Sequence, residues 1–158
     1  MSNSTSLADK AWQEVVELHD FFVAWMHGDE SAKDFSRAEA AIGKDFRMIS
    51  PDGKMDDRAA VLEWIKGARG SRPSPFTIVA RDPRTIWARE DAVLLEYTEQ
   101  QYRDGQTTRR RSTVLFLADP AAPRGVVWRH LQETWMERPE GYAQRPERDR
   151  EGICDEQA

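Results

Sequence analysis

At Pro75 the apolar periodicity of this chain changes, and that change limits what it can fold into. Before it, outside one short stretch at Asp45–Met55, apolar residues recur every three to four positions; after it they alternate with polar ones, the spacing of side chains on a strand. From Leu7 to His27 a helical stripe runs through Trp12, Val15, Phe22 and Met26, with Ser6 as N-cap, Asp9 three positions on, and Gly28 as the stop. Asp29 or Ser31 restarts a second helix to about Ile42, ended by Gly43. The segment Asp45–Met55, with its Pro51-Asp52-Gly53 turn, reads as a short hairpin. A third helix follows, capped by Asp56 or Asp57 and running to about Ala68.

Everything after Pro75 reads as strand. Phe76–Arg81 continues through a bulge at Asp82-Pro83 into Arg84–Arg89, because proline cannot donate to the ladder. Ala92–Arg103, Thr107–Leu117 and Gly125–Glu137 follow, separated by turn residues. Helices early and strands late predict an α+β layer, three N-terminal helices packed in a curved antiparallel sheet. In the last strand, strict alternation puts Val126, Trp128, His130, Gln132 and Thr134 on one face. Val127, Arg129, Leu131, Glu133 and Trp135 take the other. Neither face is cleanly apolar, so the strand is a wall that is part core and part pocket, and which face lines the pocket stays open.

The 158 residues, 39% of them hydrophobic, suit one domain over 7–137, with a flexible N-terminus at 1–6 and a polar, disordered tail at 138–158. A net charge of −5 argues against nucleic-acid binding. The run Arg109-Arg110-Arg111 reads as a solvated stretch, because its members point to both faces of a strand. No apolar stretch reaches the about 20 residues that cross a bilayer, and no secretory leader is visible. The one cysteine, Cys154, forms no internal disulfide and fits a reducing cytoplasm.

The stretches ELHDFFVAWMHGD, DFRMISPDGKMDDRAAVLEWI, LLEYTEQQ, RSTVLF and VVWRHLQETWM, in this order, resemble the nuclear-transport-factor-2-like superfamily, over about Leu7 to Glu137. More narrowly, they resemble its SnoaL-like, ketosteroid-isomerase-like and unknown-function branch. The resemblance implies a cone-shaped, cystatin-like fold with a cavity at its open end. It fixes no reaction, since the superfamily holds isomerases, dehydratases, hydrolases and non-catalytic binding domains. Where relatives carry a second histidine in the last strand, this chain has Gln132.

His19 lies on the apolar stripe of the first helix and faces the sheet, where a histidine titrates near neutrality or anchors a ligand. Glu133 and Glu99 are acids among apolar neighbours, where burial raises a carboxyl pKa. A His19–Glu133 or His19–Glu99 pair would be an acid–base dyad, and a buried structural network explains the same residues. Trp12, Phe22, Met48, Tyr97, Leu131 and Trp135 are the candidate ligand-binding residues. With three histidines, none spaced i, i+4, and no cysteine cluster, neither metal nor cofactor is expected. Two readings therefore stand. One is a non-catalytic pocket protein for a small apolar ligand, homodimeric through the convex sheet face. The other is a cofactor-free isomerase, dehydratase or hydrolase working through a His/Glu pair.

Overall fold

The computed structural model describes residues 4–73 and 75–139. Helix α1, Leu7–His27, opens on a capping box: Ser6 Oγ accepts from the Asp9 amide at 3.1 Å, and Asp9 Oδ2 accepts from the Ser6 amide at 3.3 Å. Gly28, at φ 76°, closes it. Helix α3, Arg58–Gly67, is capped by Asp57, whose Oδ1 accepts from the Ala60 amide.

The second helix is shorter than the sequence suggests. Only Ser36–Ala41 (α2) is helical. Ahead of it, Asp29 accepts from the Ser31 amide and Asp34 from the Ser36 amide. These local side-chain bonds compete with the helical ladder and hold the segment in turns. Gly43 is not a helix stop but lies in strand β1, where an added Cβ would stand 3.0 Å from the Trp128 carbonyl. A close strand approach requires the glycine.

Strands β1 (Ile42–Ile49), β2 (Met55–Asp57), β3 (Thr77–Ala88), β4 (Ala92–Arg103), β5 (Gln106–Ala118) and β6 (Val126–Glu137) form one sheet in the order β2-β1-β6-β5-β4-β3. All pairings are antiparallel except one: β1 runs parallel to β6, a departure from the all-antiparallel sheet expected. Register shifts after Arg81 and Thr85 bend β3, with Asp82 at φ 53°.

The last strand does not alternate strictly. Leu115 pairs with His130 while Phe116 pairs with Trp128, which leaves Arg129 as an extra residue in a bulge. The bulge moves the strand's faces by one position. Val126 and Trp128 face inward with Leu131 and Glu133, while Gln132 and Thr134 are exposed. This corrects the assignment of Trp128 to the opposite face from Leu131.

Helix α1 lies on the concave side of the sheet, and its Ala11, Val15 and Leu18 join Leu95, Val114 and Phe116 in the core. One buried charge belongs to this packing. Glu14, fully buried, accepts two hydrogen bonds from Arg37, at 3.1 and 2.8 Å, and one from Trp128 Nε1 at 3.4 Å. No helix among the described residues is long and apolar enough to cross a membrane. The tail with Cys154 and residues 1–3 lie outside the described residues.

Candidate functional site

Between α1, α3 and the concave face of the sheet lies a cavity of about 250 Å³, slightly under the roughly 300–1,000 Å³ usual for ligand sites. Its walls are largely apolar: Phe22 and Met26 from α1, Met48 from β1, Ile65 from α3, Ile78 from β3 and Leu131 from β6. Its exposed lining residues, Trp64 and Arg103, mark the mouth, and the buried His19, Glu99 and Glu133 mark the inner end.

Strand register assembles that inner end. Tyr97 pairs with Ser112 and Ser112 with Glu133; one step along, Glu99 pairs with Arg110 and Arg110 with Trp135. Period two then brings Glu99, Arg110, Ser112 and Glu133 to the concave face, opposite His19.

His19 is held from both ring nitrogens. Nδ1 lies 2.6 Å from the Val15 carbonyl and Nε2 lies 3.1 Å from Glu99 Oε2. A carbonyl only accepts, so Nδ1 carries hydrogen and donates to Val15. Nε2 then meets a carboxylate, and without a proton between them two acceptors would face each other. The contact therefore holds a shared proton, as an imidazolium–carboxylate pair. Burial opposes charge on His19, but the hydrogen bond and charge of Glu99, the Val15 carbonyl and the charge of Glu133 together raise its pKa above 6.5. Burial likewise works against the Glu99 carboxylate. His19, the positive charge of Arg110 and the Gln101 amide, which donates at 2.6 Å, hold it down at about 2.

Glu133 behaves in the opposite way. Burial first, then the Glu99 charge, push its pKa to about 7, against the pull of Arg110 and His19. Arg110 Nη1 donates to its Oε2 at 3.1 Å and Ser112 Oγ to its Oε1 at 3.3 Å. Two carboxyls of one cavity are thus driven apart, one ionised well below neutral pH and one titrating near neutrality.

Of the residues singled out from the sequence, His19, Glu99 and Glu133 converge at the inner end, and Phe22, Met48 and Leu131 line the walls. Three do not line the cavity. Trp12 and Tyr97 pack on each other in the core, ring centres 6.2 Å apart, because Tyr97 sits beneath α1 rather than beside the opening. The Tyr97 hydroxyl makes no hydrogen bond among the described residues. Trp135 lies outside, in an adjoining cleft, where its Nε1 donates to Asp52 Oδ1 at 3.1 Å and the Arg110 guanidinium stands 4.8 Å over its ring.

Arg110 was the residue the sequence concealed. Far from being solvated, it is half-buried between Glu99 and Glu133. Its place in period-two step with the buried Ser112, Val114 and Phe116 is the signal that sets it apart from Arg109 and Arg111. Among the described residues no group of three His, Cys, Asp or Glu side chains has the arrangement to hold a metal ion.

No protein-family model matches this sequence, and no curated protein does. Among solved structures, an NTF-2-like protein of unknown function from Pseudomonas aeruginosa is 28% identical, with a TM-score of 0.74 over 81% of this chain and 99% of that one. This chain belongs to the nuclear-transport-factor-2-like superfamily. The same fold recurs in the S. rosetta CaMKII hub, at 18% identity and TM-score 0.58 over 78% of this chain and 95% of that one. A Nostoc punctiforme domain of unknown function with a cystatin-like fold is 12% identical, with a TM-score of 0.58 over 85% and 81% of the two chains. In this nuclear-transport-factor-2-like protein, α1 covers the concave face and the cavity opens beside it.

Proposed function

We propose that this protein binds a small, largely apolar molecule in the cavity beneath α1. The observation that carries the reading is an apolar-walled cavity ending in a polar cluster, His19, Glu99, Arg110 and Glu133, in which the buried Arg110 Nε makes no hydrogen bond among the described residues. Such a site grips a ring or chain by burial and orients it through a few fixed polar groups. Residues 7–137 act in this reading as one nuclear-transport-factor-2-like domain with a SnoaL-like, ketosteroid-isomerase-like pocket, in a cytoplasmic setting.

The reading also includes a homodimer through the convex sheet face. Val79, Ile86 and Trp87, all exposed on β3, support it, as does the CaMKII hub among the proteins that share this fold. Sedimentation at micromolar concentration tests this, and a strict monomer would refute it.

The binding experiment uses N-phenyl-1-naphthylamine, a neutral apolar fluorophore, with the full chain. Saturable one-site binding that Phe22→Trp weakens at least about tenfold is expected. Non-saturable binding, or binding indifferent to the bulk added at Phe22, would refute the reading.

A second reading, a cofactor-free acid–base enzyme, is favoured by one observation: Glu133 faces the cavity with a pKa of about 7. The proton then moves on Glu133. His19, locked to Val15 and Glu99, positions the charge around it instead of acting as base. Deuterium loss from the activated C–D bonds of small ring ketones deuterated beside the carbonyl tests this, with a rate that rises through pH 7 and is abolished in Glu133→Gln. A rate unchanged in that variant removes Glu133 from the chemistry.

A further inference from the structure

The inner end of the cavity is close to charge balance, and its mouth is not. Four cationic side chains line the cavity, His19, Arg72, Arg103 and Arg110, against the two carboxyls of Glu99 and Glu133. This occurs in a chain of net charge −5. His19 and Arg110 meet Glu99 and Glu133 at the inner end, so Arg72 and Arg103 remain.

Among the described residues Arg103 forms an ion pair with its exposed chain neighbour Asp104, at 3.4 Å. The half-buried Arg72 guanidinium makes no hydrogen bond or ion pair among the described residues and stands 5.6 Å over the Phe76 ring. Burial and the charge of Arg103 lower its pKa, with Asp104 acting the other way. Both guanidinium groups line this one cavity, and the charge of Arg103 disfavours that of Arg72. An anion between them would relieve that repulsion and accept hydrogen bonds from both.

What lies behind Arg72 is apolar. Its amide donates to the Met26 carbonyl, and Met26, Phe76 and Ile78 form a buried cluster against which Phe22 packs. All four line the cavity. Positive charge at one end of an apolar slot calls for a molecule with an anion at one end of an apolar body. The inner end selects further, since a second anion there would meet Glu99 and Glu133.

We propose that the cavity takes an amphipathic monocarboxylate, its carboxylate between Arg72 and Arg103 and its short aliphatic or single-ring body against Phe22, Met26, Phe76 and Ile78. The proposal rests on the pocket reading above and adds its ligand class.

The test is calorimetric titration of the full chain at pH 7.5 with three probes of equal length: octanoate, 1-octanol and octanedioate. Octanoate is expected to bind about tenfold tighter than octanol, a difference of about 1.4 kcal/mol. Arg72→Gln and Arg103→Gln each weaken octanoate about fivefold and leave octanol unchanged, and Arg72→Lys retains most of the affinity. Octanedioate binds at least about fivefold more weakly than octanoate. If octanol binds as well as octanoate and neither arginine variant separates them, the cavity reading survives and the anion proposal falls. If none of the three binds, the cavity reading falls and the proposal falls with it. Octanedioate matching octanoate would overturn the orientation.

Discussion

His19 Nε2 and Glu99 Oε2 meet at 3.1 Å, from positions 80 residues apart in the sequence, with both side chains shielded from solvent. The contact joins α1 to β4. It also fixes a positive charge at the inner end of the cavity, and the neighbouring carboxyls respond to it.

Breaking that pair by removing one partner leaves the other buried and uncompensated, which costs roughly 3–5 kcal/mol. Glu99→Gln is expected to lower unfolding stability by about 3 kcal/mol in urea titrations. It also drops the His19 pKa below 6.5, because the remaining dominant influence is burial. A loss under about 1 kcal/mol would mean that the pair contributes little.

The pH dependence of stability follows from the signs. Glu99, depressed to about 2, contributes stability that is present above 4.5 and lost as pH falls toward 2. Glu133, raised to about 7, contributes stability present below 4.5 and lost as pH rises through 7. Glu14, raised by burial against the pull of Arg37, has the same sign, as does His19, whose contribution is complete below 6.5 and lost as pH rises through its folded pKa. Glu99 gains only up to about pH 4.5 and Glu133 and Glu14 begin to lose there, so these buried groups together place maximal stability near pH 4.5. Urea unfolding at about pH 3, 4.5 and 8 checks this, and a maximum at pH 8 would contradict it.

Glu133→Gln keeps the shape of the carboxyl and its ability to accept from Arg110 and Ser112. Its expected effect at pH 4 is a stability change under about 1 kcal/mol, because the wild-type group is neutral there in the folded chain and largely neutral in the unfolded one. The loss of stability between pH 5.5 and 8 should become shallower. A slope unchanged by the substitution would show that Glu133 does not titrate in this range.

Glu14 and Arg37 offer a separate check on buried charge. Arg37→Met strands a fully buried carboxylate, at a cost of about 3 kcal/mol. Glu14→Leu combined with Arg37→Met should recover most of that loss, since an apolar pair of similar volume needs no compensation. Additive losses in the double variant would point to packing strain instead.

Much of this was legible in the sequence where local chemistry decides. Ser6 and Asp9 announce the start of α1, Asp57 caps α3, and the Asp104-Gly105 turn separates β4 from β5. His19 stood out because a histidine on an apolar stripe must find buried partners. Long-range pairing decides the rest. The bulge at Arg129 arises from the match of β6 against β5, so no pattern within Gly125–Glu137 reveals it. Arg110 reads as one of three surface arginines until β4 and β6 bring Glu99 and Glu133 to its sides. The parallel contact of β1 with β6 likewise depends on where distant residues lie.

The charge state of His19 is the main influence that holds Glu99 ionised against burial, so it is the quantity to measure first. Side-chain 15N NMR of the histidines, assigned with His19→Gln, reports it directly. At pH 7 both His19 ring nitrogens should carry protons, and in Glu99→Gln the ring should revert to a neutral imidazole protonated at Nδ1. A His19 that is neutral at pH 6, or whose spectrum ignores the loss of Glu99, would contradict the ion pair and the assignment of the cavity's charges built on it.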